Sequence, residues 1–188
     1  IDYLEGEPGW KNDFGGEWLA LLEAQRVDFS TQACTGLGVL ARGARETWKS
    51  YLQFVKIMEK RGIRVKDPDF RQRGEDCARA LLLAFGDRLA VRRDAGTAVC
   101  HVIGKRRGKM HAKSAVRQSP VFLAAEIMEV EGRERVVGLS RCVAIDEAWL
   151  EELFPGEVVG ENGAIFDEVA RRVMAVRQRK FRGLVLEE

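Results

Sequence analysis

The residues best suited to chemistry in this chain are cations gathered into two runs that contain no acid. Lys105–Arg117 (KRRGKMHAKSAVR) holds Lys105, Arg106, Arg107, Lys109, Lys113 and Arg117, and Ala170–Leu186 holds Arg171, Arg172, Arg177, Arg179, Lys180 and Arg182. Six cations in each make twelve, so a net charge of +2 leaves about −10 for the rest of the chain. Charge segregated in this way attracts polyanions more strongly than the same charges mixed with carboxylates. Guanidinium forks and ammonium groups suit phosphate oxygens, and Ser114 adds a hydroxyl donor. We read the first run as a loop between two strands, with Gly104 and Gly108 allowing a phosphate close to the backbone. Few aromatics interleave with the cations, so the expected contact is to backbone phosphates rather than to stacked bases. The plainer alternative is a solvated basic loop and a basic strand face.

Other chemistries fail on spacing. Gly104–Met110 has a superficial likeness to a nucleotide-binding P-loop, but three residues rather than four separate its glycines, and Met110 stands where a magnesium-holding Ser or Thr is needed. Asp146-Glu147-Ala148-Trp149 could pass for a Walker B-type acidic box. It is better read as the start of a short amphipathic helix, whose exposed amides favour acids in the first turn. Cys34, Cys77, Cys100 and Cys142 form no C-x-x-C pair. Cys100 and His101 are neighbours, and in a strand their side chains point to opposite faces. We expect reduced, buried thiols and no metal site. Glu126, Glu129 and Glu131 lie on or beside one strand without a pocket to give them a role. No catalytic residue is assigned, and a free-standing enzyme is the weakest reading.

The elements that must position the cations follow from periodicity. Glu17–Arg26 and Ala44–Arg61 repeat apolar residues at helical spacing, the second through Trp48, Tyr51, Leu52, Val55 and Met58. Ser30 is expected to cap a short helix through Cys34. Asp67-Pro68-Asp69 begins another segment, and Asp76–Phe85 predicts a well-buried helix. After Gly86 the period changes. Leu89–Arg93 and Ala98–Ile103 read as strands joined by an Asp94–Thr97 turn, and Val121–Val130 and Arg135–Ala144 as strands turned at Gly132. A helix over Glu147–Phe154 ends at Pro155-Gly156, and Val158–Val159, Ile165–Asp167, Val169–Arg177 and Gly183–Leu186 form a β-rich appendix. The order implies an α+β fold: an N-terminal helical bundle, then a small OB-like β-barrel, then a C-terminal β-hairpin extension. The expected domains are 1–86, 87–156 and 157–188.

Composition sets the outer limits. With 188 residues, 46% of them hydrophobic and 32% charged, the chain can build a real core and is not a disordered segment. No apolar run approaches a membrane span and no signal peptide is visible. We expect a cytoplasmic protein, and Ile1 at the start suggests part of something longer.

Several stretches together resemble the C-terminal accessory region of bacterial DEAH-box ATP-dependent helicases of the HrpA/HrpB type. They are Trp18–Glu23, Ala44–Ser50, Ala80–Arg93, Lys105–Arg117, Pro120–Ile127 and Ala144–Pro155. Ile165–Asp167, Ala170–Arg177 and Gly183–Leu186 are similar to the short β extension of the HrpB-type members. The resemblance implies the end of a helical ratchet domain followed by an OB-like barrel beside a single-stranded RNA or DNA path. It also implies that ATP and magnesium belong to motor domains of the parent chain, outside this region. The family's H-P-S-S-like barrel element corresponds to His111-Ala112-Lys113-Ser114, where only His111 and Ser114 match.

Two functions follow. The first is a nucleic-acid-binding accessory module of an ATP-dependent helicase, with Arg106, Arg107, Lys109, His111, Lys113, Ser114 and Arg117 as contact residues and no cofactor of its own. The alternative is a protein-interaction module that docks on the motor domains of the same chain or on a regulator. No membrane role is expected.

Overall fold

The computed structural model describes residues 12–65, 70–94, 97–129, 136–167 and 171–187. Helices come first, followed by a closed five-stranded barrel and a small terminal sheet, an α+β architecture. The chain divides into two compact units, Ile1–Gly74 and Glu75–Glu188.

The first unit contains α1 (Phe14–Arg26), α2 (Thr31–Gly36) and α3 (Ala41–Lys60). The Asn12 side chain accepts the Gly15 amide at 2.7 Å, satisfying one of the donors left open at the start of α1. After α1 the chain reverses through Asp28 and Phe29, both at positive φ. That strained turn is held by Phe29 N–H donating to Ala24 O at 2.8 Å and by Arg45 donating to Phe29 O at 3.2 Å. Leu21, Ala24, Phe29, Cys34, Ala41 and Ala44 form the core of the unit. Ser30 precedes α2, yet its side chain makes no capping bond. Of the stripe on α3, Trp48 and Tyr51 lie tilted against each other and Tyr51 meets Trp18 edge-on, whereas Leu52 and Met58 remain exposed.

Helix α4 (Phe70–Phe85) leads through a short 3-10 turn into β1 (Leu89–Arg92), β2 (Val99–Val102), β3 (Arg106–Met110), β4 (Val121–Glu129) and β5 (Val136–Ala144). These close in the order β1-β2-β3-β5-β4. Neighbours run antiparallel except β3 and β5, which are parallel. This closure leaves no exposed edge on the barrel. Ala90, Cys100, Val102, Met110, Phe122, Ala124, Leu139 and Cys142 point inward to one core, and Arg141 at positive φ interrupts the alternation of β5 so that both Leu139 and Cys142 reach it. The four cysteines are free, and burial pushes the Cys77 and Cys100 thiols up from their ordinary value. Asp67-Pro68-Asp69, Ala95-Gly96 and Gly132 lie outside the described residues.

Strand β3 is the main departure from the sequence reading, which left Arg106–Met110 in a loop. Gly108 faces inward there instead of toward a ligand. A Cβ added to it would sit 2.5 Å from Leu139 Cδ1 and 2.8 Å from Cγ. Gly108→Ala is therefore expected to cost about 1–3 kcal/mol by overpacking. In a Leu139→Ala background the same change should cost measurably less, as a urea-unfolding double-mutant cycle would show.

The short helix α5 (Ala148–Leu153) follows the barrel, and Asp146 Oδ1 accepts the Ala148 amide at 3.0 Å. Leu150 is buried, and Arg79 of α4 pairs with Glu152 and lies over Trp149. The acidic box is thus a helix start. Strands β6 (Val158–Asp167), β7 (Arg172–Phe181) and β8 (Leu184–Glu187) form the terminal three-stranded sheet, with ten β6–β7 pairs and a bulge where β8 joins.

Candidate nucleic-acid interface

The β2–β3 hairpin carries the first cationic run. Val102 pairs with Arg106, so Ile103-Gly104-Lys105 form a three-residue turn, with Gly104 and Lys105 in the left-handed region. With Cys100, Val102, Gly108 and Met110 inside, the two-residue period turns Val99, His101, Arg107 and Lys109 outward, and all four are exposed. Strand pairing aligns them in two rows. Val91, His101, Arg107 and Val136 form one row, and Val99, Lys109 and Gly138 form the next. Arg106 belongs to the other parity, and its Nε donates to Ile103 O at 3.2 Å. Lys105, Arg106, Arg107, Lys109 and Arg117 make no ion pair with any carboxylate among the described residues, so their charge is open to a ligand.

The rest of the run is a tightly bonded turn between β3 and β4. His111 N–H donates to Leu139 O at 2.8 Å, and His111 Nδ1 accepts the Lys113 amide at 3.3 Å. Ser114 is buried, and its Oγ accepts the Val116 amide at 3.3 Å. Its hydroxyl therefore shapes the turn from inside, while His111, Lys113 and Arg117 are exposed.

Sequence reasoning missed the residue that holds this turn. Arg92 is 9% exposed, with its guanidinium donating to Val116 O at 3.0 Å, to Ser119 O at 3.3 Å and to Thr97 O. Its own amide donates to Pro120 O at 2.8 Å. One buried cation thus joins the β1–β2 and β3–β4 connections through carbonyl oxygens. The signal was its parity with Ala90, which points inward.

The second cationic run behaves differently. Arg179 contacts Glu147, Glu151 and Glu187, Lys180 pairs with Glu161, and Arg182 pairs with Glu157. Half of that run is therefore neutralised at home, although Arg171, Arg172 and Arg177 remain exposed. The Arg182 bond holds the Glu157 carboxyl below its ordinary value. Burial pushes Glu147 up, with Arg179 opposing and Glu187 and Asp146 adding to the rise. An acid whose folded pKa is raised binds more protons in the native state than in the unfolded one. Stability therefore falls as pH climbs from the ordinary glutamate range through the raised value, and stays lowered above it. Glu147→Gln is expected to flatten that decline without destabilising the protein at neutral pH, as denaturation midpoints measured from acid to neutral pH would register.

The Gly104–Met110 segment is not built as a nucleotide-binding P-loop. Gly104 and Lys105 sit in a turn between antiparallel strands, with no helix N-terminus behind them to receive a triphosphate. No helix among the described residues is long and apolar enough to cross a membrane.

No family model and no curated protein matches the chain. Among solved structures it is similar to the E. coli DExH-box NTPase HrpB, with a TM-score of 0.52 and 17% identity over 70% of this chain and 16% of that one. A second structure, of the E. coli DEAH/RHA helicase HrpB, gives a TM-score of 0.49 and 17% identity over 81% of this chain and 17% of that one. The chain thus spans less than a fifth of the length of either. Its fold is one found within the first of these structures.

Proposed function

We propose that this chain is the nucleic-acid-binding accessory part of an ATP-dependent DEAH-box helicase, gripping single-stranded RNA or DNA beside motor domains carried elsewhere in the parent protein. ATP and magnesium act in those motor domains. The observation that carries the reading is the outward pair Arg107 and Lys109 in adjacent rows of β3, whose charge no described carboxylate offsets. OB-type barrels use the face of their second and third strands for oligonucleotides. Arg106, His111, Lys113 and Arg117 are further contacts in this reading, and Ser114 supports the β3–β4 turn. Contacts of this type are to phosphates, so the grip has little sequence preference. The intended compartment is the cytoplasm.

A second reading draws on a separate feature. Phe166 and Val173 lie opposite each other on the β6–β7 ribbon and are 61% and 69% exposed. Such a pair suits docking on the motor domains or on a regulator, and the two roles are compatible. Anisotropy titration of labelled single strands against salt tests the first role. About three to five phosphate contacts predict a log–log slope of roughly −2 to −3.5. An absence of binding at low salt, with capture of an acidic protein instead, would favour the second.

A further inference from the structure

Strand β8 contacts β1 of the barrel, and residues of β1, β2, β3 and β8 together line a cleft of about 690 Å³. That volume is typical of a site for one small molecule. The barrel wall presents Val91, His101 and Arg107, which the strand register places in a single row, with Lys105 at the adjoining turn. Val185 and Leu186 of β8 form the opposite wall. The two carboxylates at the margin are already engaged, Asp94 with Arg93 at 3.7 Å and Glu187 with Arg179 at 3.8 Å. Lys105 and Arg107 are left to face an anion. The cleft therefore joins an anion-binding end to a slot with an imidazole on one side and aliphatic carbons on the other.

We propose that this cleft holds one nucleotide unit, with its phosphate on Arg107 and Lys105 and its base between the Val91–His101 row and Leu186. The proposal rests on the nucleic-acid reading above and narrows it: a slot closed by β8 admits a single base and excludes a duplex. An imidazole ring and aliphatic side chains accept the flat face of any base, so affinity depends on stacking and phosphate contact rather than on base identity. The unit can come from a free mononucleotide or from a strand, and the two sources are separable.

The chain has two histidines, His101 in the cleft and His111 outside it. Histidine ring resonances can therefore be followed in the 188-residue chain during titration with adenosine monophosphate, inorganic phosphate and a single-stranded pentanucleotide at fixed pH. The expected result is a saturable shift of His101 with the mononucleotide, none at His111, and a much weaker response to phosphate alone. Leu186→Trp, which fills the slot without changing charge, should weaken the mononucleotide by about tenfold. The same His101 shift with the pentanucleotide places a strand nucleotide in the cleft, whereas a shift with the mononucleotide alone assigns a free-nucleotide site. His101 unmoved while the pentanucleotide still binds would overturn the cleft and leave the wider interface standing. His101 unmoved with no oligonucleotide binding overturns both. An equal response to inorganic phosphate would reduce the site to an anion hole and defeat the nucleotide assignment.

Discussion

Reversing Arg107 and Lys109 together to glutamate is expected to weaken binding of single-stranded nucleic acid by about 100-fold at low salt, or about 2.8 kcal/mol. The two side chains stand in adjacent outward rows of β3, and no described carboxylate offsets them. Each lost phosphate contact removes about 0.7 from the salt slope of a single strand, so the double variant should flatten it by roughly 1.4. Arg106→Glu is expected to do less, because alternation turns Arg106 away from that row and its Nε is bonded to Ile103 O. Lys180→Gln serves as the control. Lys180 is half-buried and paired with Glu161, and its loss should change affinity by less than about twofold, as expected for a charge already compensated. Both reversed residues face solvent, so circular dichroism of the variant should match the parent. An unchanged affinity and slope in a folded double variant would remove the basis for the β2–β3 face as a phosphate track.

Replacing Arg92 with methionine is expected to destabilise the protein by about 3 kcal/mol, since it takes charged donors from three carbonyls in largely buried surroundings. Methionine keeps most of the volume, so the loss reports hydrogen bonding more than a cavity. Lysine at the same place should fall between the two, because its ammonium cannot reproduce the guanidinium fork. The effect should also be local. Amides of the β3–β4 turn, which depend on Arg92 through Val116 and Ser119, should exchange faster with solvent than those of β4. A loss below about 1 kcal/mol, with unchanged exchange in the turn, would show that the turn is held by other means. Loosening this turn also frees Lys113 and Arg117, so affinity for a single strand should fall modestly while the salt slope is kept.

These two residues show where sequence reasoning stops. Arg92 and Arg93 are neighbours of the same charged type. One is buried among carbonyls and the other is exposed, because strand parity turns one toward the core and the other toward solvent. Strand β3 was illegible for a related reason. Its residues, Arg106-Arg107-Gly108-Lys109-Met110, have little apolar character to mark a strand, and its pairing with β5 depends on a segment nearly thirty residues away. The long β6 was seen only at its ends, Val158–Val159 and Ile165–Asp167, since Gly160, Glu161, Asn162 and Gly163 lack the β-branched and aromatic residues that mark a strand. By contrast α5, the helix-then-strand order and the two acid-free runs were plain in the sequence, because local periodicity, capping and composition record them.

The amino-acid order alone determined the sequence of helices and strands and the number of cations in each run, since both depend on near neighbours along the chain. Only the folded molecule decided which cations are open to a ligand. Glu147, Glu151, Glu157, Glu161 and Glu187 come to the second run through strand pairing and the packing of α5, while no described carboxylate reaches Arg107 or Lys109. Electrostatic potential is summed over distance in space, and two runs that look alike in sequence therefore differ in the folded molecule.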